Sequence, residues 1–160
     1  MKIFLSGSIS IKKLPFKAIE KIDSIIQNNY TILVGDAKGV DLNIQKYLLK
    51  KRYSNVNVYY AGNDIRNNLG NWETKRISST HNEKGRDLYT LKDISMAQDS
   101  DYALMIWDGE SKGTLNNIIE MKKLNKKFYV IFDNLLVSSS HFDEIFKISE
   151  IDKAEQLNLF

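Results

Sequence analysis

The chain has 160 residues, 42% apolar and 27% charged, with a formal net charge of +3, the make-up of an ordinary folded domain. It contains no cysteine and only two histidines, His81 and His141, which excludes a disulfide framework, a thiolate nucleophile and a cysteine-based zinc site. The mild charge, scattered in short pairs of Lys and Arg, lacks the dense basic stripe of a dedicated DNA binder. No apolar run approaches a membrane span.

In chain order, Lys2 to Ser6 is an apolar run closed by Gly7 and predicts a buried strand. Pro15 suits the first turn of a helix, and Phe16, Ile19, Ile22 and Ile26 follow at helical spacing until Asn28-Asn29. Tyr30 to Val34 predicts the next strand, closed by Gly35. Val40, Ile44, Tyr47 and Leu48 mark a second helix, and the cations Lys50-Lys51-Arg52 suit its carboxyl end. Val56 to Ala61 predicts a third strand, ended by Gly62. The stretch 62–85 is rich in Asn, Gly and charge and predicts a long loop with one short helix around Trp72 to Ile77. Loops of that length are uncommon in compact domains and often functional. Arg86 to Asp99 returns to helix, and Tyr102 to Trp107 is a strongly apolar strand. Leu115, Ile118, Ile119 and Leu124 mark another helix, Phe128 to Phe132 a fifth strand, and the tail reads as helical.

Strands alternating with helices imply a mostly parallel sheet covered on both faces. The expectation is one α/β domain over residues 1–160, a Rossmann-like three-layer sandwich with a five-stranded sheet. Its core spans 1–133 and a helical tail 134–160. The N-terminal residues are too broken by Ser and Gly for a signal peptide, so a cytoplasmic location is expected, with no membrane partner.

Ligands of such sheets bind beyond the carboxyl ends of the strands. Three segments fall there: Ser6-Gly7-Ser8, Gly35-Asp36-Ala37-Lys38-Gly39-Val40-Asp41, and Asp108-Gly109-Glu110-Ser111-Lys112-Gly113-Thr114. Each leaves a strand, turns on small residues and opens a helix, an arrangement suited to anions. Lys38 and Lys112 supply charge, and Ser111 and Thr114 supply hydroxyl donors. The competing reading gives Gly35, Gly39 and Gly113 to tight turns, and Asp41 and Thr114 to helix caps. None of the three is a G-x-G-x-x-G fingerprint or a Walker A loop. No carboxylate spacing proposes a metal site, and no cofactor is required.

Those loops carry a resemblance. Gly35 to Asp41 resembles the "GGARGVD" loop of the YspA-like branch of the DprA/LOG (SLOG) superfamily. Tyr102 to Thr114 resembles that branch's "xAxxxWDGxSxGT" strand and loop. Ser6-Gly7-Ser8 is similar to its "SGSR" turn, with Ile9 where Arg is expected. The resemblance covers roughly residues 1–133 and matches 62–85 poorly. It implies a Rossmann-like domain that binds nucleotides or their derivatives. Some relatives are phosphoribohydrolases with a "PGGxGTxxE" loop, some are sensors, and one branch binds single-stranded DNA. Here Gly113-Thr114 match the end of that loop, Gly109, Glu110 and Ser111 replace its Pro-Gly-Gly, and Asn117 stands at its Glu.

Three functions follow as expectations. The first is a sensor for a small nucleotide-like ligand, held by the three loops together with Arg76 and Arg86, which suit phosphate. The second is an enzyme on the N-glycosidic bond, a phosphoribohydrolase or deoxyribosyltransferase-like protein. It needs a carboxylate at the sugar, for which Glu110 and Asp36 are the candidates, with Asp108 a further one. The third, nucleic-acid binding, is disfavoured by the scattered charge. Trp72, Trp107 and Tyr89 are either stacking surfaces or core, and His81 a loop histidine. Relatives of the fold often pair through helices, so a homodimer is an open expectation.

Overall fold

Five largely apolar runs, each closed within two residues by a glycine or an aspartate, form the interior of one sheet. The computed structural model describes residues 1–79 and 81–146. Its strands are β1 (Lys2–Gly7), β2 (Thr31–Gly35), β3 (Val56–Ala61), β4 (Glu73–Ile77), β5 (Tyr102–Ile106), β6 (Lys127–Phe132) and β7 (Leu135–Ser138). Its helices are α1 (Phe16–Gln27), α2 (Val40–Lys50), α3 (Arg86–Asp99), α4 (Lys112–Lys123) and α5 (Phe142–Phe146). The strand order is β4-β3-β2-β1-β5-β6-β7. Every pair is parallel except β6–β7.

The alternation of side chains along each strand divides the core into two layers. Ile3, Leu5 and Val34 meet Ala18 and Ile22 of α1 and Val40, Ile44 and Leu48 of α2 on one face. Phe4, Leu33 and Met105 meet Met96 and Ala97 of α3 and Leu115, Ile118 and Met121 of α4 on the other. Burial on both sides is why these strands read as unbroken apolar runs. The expected α/β, mostly parallel architecture is present, but the sheet has seven strands rather than five.

Both additional strands lie at edges. Glu73 to Arg76 of β4 are exposed, and β4 pairs only with β3. A strand with one neighbour and no buried face carries no apolar alternation, so its sequence has the character of loop with a short helix. Its Lys75 and Arg76 suit an edge that must not recruit another strand. At the opposite edge, Asp133 and Asn134 both take left-handed backbone, with φ of 48° and 59°, the geometry of a two-residue hairpin turn. The chain therefore returns antiparallel as β7, and the tail expected to be helical from 134 begins as a strand. Only α5 of that helix is found, with Phe142 fully buried against Phe128 and Trp107. The remainder of the expected helix, 147–160, lies outside the described residues.

The chain runs from β1 towards β2 on one side, and from β5 towards β6 on the other. The strand order thus reverses between β1 and β5, opening a crevice at their carboxyl ends. No described helix is long and apolar enough to cross a membrane.

Candidate functional site

A cleft of about 630 Å³ occupies that crevice. The turn after β1 contributes Gly7, Ile9 and Ser10, and the turn after β2 contributes Ala37, Lys38 and Asp41. The β5–α4 loop adds Asp108, Ser111, Lys112, Gly113 and Thr114. The opposite wall is α3, through Arg86, Tyr89, Thr90, Lys92 and Asp93, with Arg66 reaching over from the 62–70 segment.

A web of hydroxyl groups binds the first and third loops together. Ser8 Oγ accepts from the Asp108 N–H at 3.1 Å and lies 3.4 Å from Thr114 Oγ1, which is 3.2 Å from Ser111 Oγ. Ser10 Oγ donates to Asp108 Oδ2 at 2.6 Å, while Asp108 Oδ1 accepts from the N–H groups of Glu110 and Ser111. Burial alone would raise the Asp108 carboxyl, but these hydrogen bonds outweigh it and hold it below the ordinary value. Ser8, Thr114 and Asp108 thus shape the rim. Ser111 caps α4, its hydroxyl accepting from the Thr114 N–H.

The glycines divide into two kinds. Gly39 has φ +80°, and a methyl group built on it would lie 2.6 Å from the Ile9 Cα, so its turn and its neighbour both demand glycine. Gly7, Gly35 and Gly109 are crowded too, by Val40, by Asp41 and Lys92, and by Phe132. Gly113 is unlike them. It lies in the first turn of α4 without positive φ, and a methyl group there would meet nothing within 4 Å. Neither fold nor packing requires glycine at a helical position where alanine is better by roughly 0.5–1 kcal/mol. The N–H groups of Lys112 and Gly113 have no acceptor among the described residues, and they sit at the positive end of the α4 dipole.

Beneath the cleft lies a network of three carboxylates and two cations. Asp36 is fully buried. Arg66 grips it through Nη2 at 2.6 Å on Oδ1 and Nε at 3.2 Å on Oδ2, and the Arg66 backbone N–H donates to Oδ2 at 2.9 Å. Lys92, also buried, lies 3.6 Å from Asp36 and 3.9 Å from Asp93. Burial would raise the Asp36 carboxyl, but the Arg66 hydrogen bonds and the Lys92 charge outweigh it and hold it low. Burial prevails at Asp41, which is raised despite Lys92 and the Ala37 N–H. It also prevails at Asp93, which is pushed up to about 6. Gln45 anchors the segment carrying Arg66, donating to Asn67 O and accepting from the Leu69 N–H, both at 3.0 Å. Arg66 also stacks on the Tyr89 ring, 4.3 Å from its centroid.

Of the residues expected at the site, Gly7, Lys38, Asp41, Arg86, Asp108, Ser111, Lys112, Gly113 and Thr114 line the cleft. Ser8, Gly35, Gly39 and Gly109 belong to the same turns but not to the lining. Three stand elsewhere. Asp36 is sealed under Arg66, with both oxygens occupied. Glu110 is exposed and outside the cleft lining. Arg76 lies on β4, where its guanidinium donates to Gly62 O and Asn63 Oδ1. Trp107 is core, its indole N–H donating to Ser111 O at 3.0 Å. Trp72 donates to Tyr53 O at 2.8 Å, and His81 is an exposed loop residue. Sequence reasoning missed Arg66, Lys92 and Asp93. A signal for two of them exists: Met96 and Ala97 face the core, and one turn earlier that stripe passes through Lys92 and Asp93.

No protein-family profile and no curated protein sequence matches this chain. Among solved structures it is similar to DNA processing protein A (DprA) from Helicobacter pylori, with a TM-score of 0.63 and 16% sequence identity. The likeness covers 99% of this chain and 80% of that one, whose structure was described for its mode of binding single-stranded DNA. The sheet order, the crevice between β1 and β5 and this likeness together give the chain a DprA-like, Rossmann-like fold.

Proposed function

We propose that the cleft binds a nucleotide or a nucleotide-derived phosphorylated ligand, with a phosphate over the first turn of α4. The observation that carries this reading is Gly113, a helical glycine facing open space beside N–H groups without acceptors. A side chain there would fill the room a phosphate takes. Lys38, Lys112 and Arg86 add charge around the same opening, and Tyr89, backed by Arg66, offers a flat surface for a base. The volume of about 630 Å³ suits a ligand of nucleotide size. The motifs at Gly35 to Asp41 and Tyr102 to Thr114 support the YspA-like branch of the superfamily. A sensor is favoured over an N-glycosidic enzyme because, of the three carboxylates named for glycosidic cleavage, Asp36 is locked, Glu110 lies outside the cleft and Asp108 accepts on both oxygens from the rim. The reading calls for no cofactor and suits the cytoplasm, where a chain without cysteine loses nothing.

The experiment is thermal denaturation against nucleoside mono-, di- and triphosphates, NAD, ADP-ribose and cyclic nucleotides, followed by chromatography of each mixture. A ligand at a hundred times its dissociation constant adds about 2.7 kcal/mol of stability. We expect a shift with the ligand intact, lost in Gly113→Val. Released base would make the protein an enzyme instead, and no shift across the panel would overturn the reading.

A second reading, single-stranded DNA binding, is favoured by the likeness to DprA. It predicts oligonucleotide binding that weakens steeply with salt, whereas a mononucleotide site predicts a shallow dependence.

A further inference from the structure

Resting on that reading of the cleft, we propose that its ligand is a ribose phosphate compound and that Asp93 holds the sugar hydroxyls. The polar groups around the opening are mostly cations and donors: Arg66, Arg86, Lys38 and Lys112, with N–H groups at the start of α4. Among the carboxylates nearby, three already have their acceptors engaged or sealed. Asp36 is closed by Arg66. Asp108 accepts on both oxygens from the rim. Asp41 lines the cleft too, but it is only 9% exposed and accepts from the Ala37 N–H at 3.3 Å.

Asp93 differs. It lies two turns into α3, lines the cleft, and its side chain is 28% exposed. Its partners are the Asn117 amide, which also donates to Ser6 Oγ at 3.0 Å, and the Lys92 ammonium 3.9 Å away. Lys92 is shared with Asp36 and lies closer to it. An ionised carboxylate offers about four acceptor sites, so Asp93 keeps capacity towards the cleft.

A bare carboxylate in an anion site repels a phosphate unless the same ligand brings donors. The donors must be neutral, because Lys92 and Arg66 already face Asp93 and a ligand ammonium would meet both. A phosphate ester with adjacent hydroxyls meets both conditions. The vicinal 2′ and 3′ hydroxyls of ribose present two O–H donors to the two oxygens of one carboxylate. Asp93 is thus a specificity-determining residue, with Asn117 and Lys92 as positioning residues.

The test is calorimetric binding of the ribonucleoside 5′-monophosphates, their 2′-deoxy counterparts, ribose 5-phosphate and inorganic phosphate. In the unaltered protein the ribonucleotide is expected to bind tenfold or more tightly than its deoxy counterpart, since a hydrogen bond to a charged group is worth about that factor. In Asp93→Asn the difference should fall to about threefold or less, while inorganic phosphate, no longer facing that carboxylate, binds no less tightly. The comparison in the unaltered protein does not depend on the variant folding, and Asp93→Ser is a second variant. Equal binding of both sugars would overturn this inference and leave the phosphate site standing. A preference that survives in both variants would also overturn it. Binding of none of these probes would remove the cleft reading itself.

Discussion

Arg66 holds Asp36 from two directions, with its guanidinium on both carboxylate oxygens and its own backbone N–H on one of them. The contact joins the turn after β2 to the segment that leads into β4, so the floor of the cleft and the edge of the sheet share one anchor. Asp36 is fully buried, while the Arg66 side chain is 39% exposed. The arginine therefore retains some water, and the aspartate depends on its partners.

Removing the guanidinium leaves a buried carboxylate with Lys92 as its nearest cation. Arg66→Ala should cost about 2–4 kcal/mol, somewhat less than for a wholly buried pair. Arg66→Lys should recover only part, since an ammonium cannot make the two-pronged contact. Urea unfolding of the three proteins measures both.

Gly39 and Gly113 should respond to alanine in opposite directions. Gly39→Ala places a methyl group against the Ile9 backbone at left-handed φ and should destabilise the protein by at least about 1–3 kcal/mol. Gly113→Ala should stabilise it by roughly 0.5–1 kcal/mol while weakening phosphate binding. Melting temperatures and phosphate titrations of the two variants decide the matter.

The floor network gives the protein an unusual dependence on pH. Burial raises Asp93 to about 6 against the pull of Lys92, with Asp41 adding to the rise and Arg66 and Asn117 opposing it. The folded chain thus favours the protonated form. That contribution is complete below the ordinary carboxyl value of 3.8 and is lost as pH rises through about 6. Asp36 behaves in the reverse sense: its contribution is present above 3.8 and is lost as pH falls through its lowered value. Unfolding free energy should therefore decline between about pH 4 and 6.5, by on the order of 2–3 kcal/mol. Asp93→Asn should flatten that decline, as denaturant titrations at stepped pH would record.

Asp108 offers a milder test of the rim. It accepts from Ser10, Glu110 and Ser111, so Asp108→Ala frees two backbone N–H groups and a hydroxyl in a partly exposed loop. A loss of about 1–2 kcal/mol is expected, with weaker ligand binding because the α4 cap loses its support. Calorimetric unfolding and phosphate titration together check it.

The interior strands were legible because burial on both faces leaves an unbroken apolar run, as in Ile3 to Leu5 and Ala103 to Ile106. The edges were not. Glu73 to Ile77 has one neighbour and no covered face, so nothing in its composition separates it from loop. Asp133-Asn134 carries a hairpin signal, but only four residues of strand follow it. At the cleft, loops that end strands and open helices could be read from their glycines and hydroxyls. Arg66 could not, because its role depends on a contact with Asp36 across 30 residues. Asp36 and Glu110 looked equivalent as acids, and only packing separates a sealed ion pair from a solvated turn.

The open space at Gly113 also makes this chain readily instrumented. With no cysteine in the sequence, Gly113→Cys would carry a lone thiol at the mouth of the cleft, on a Cβ that meets nothing within 4 Å. Its alkylation rate would serve as a footprint: fast when the cleft is empty, slow when anything lies over α4, whatever that occupant is.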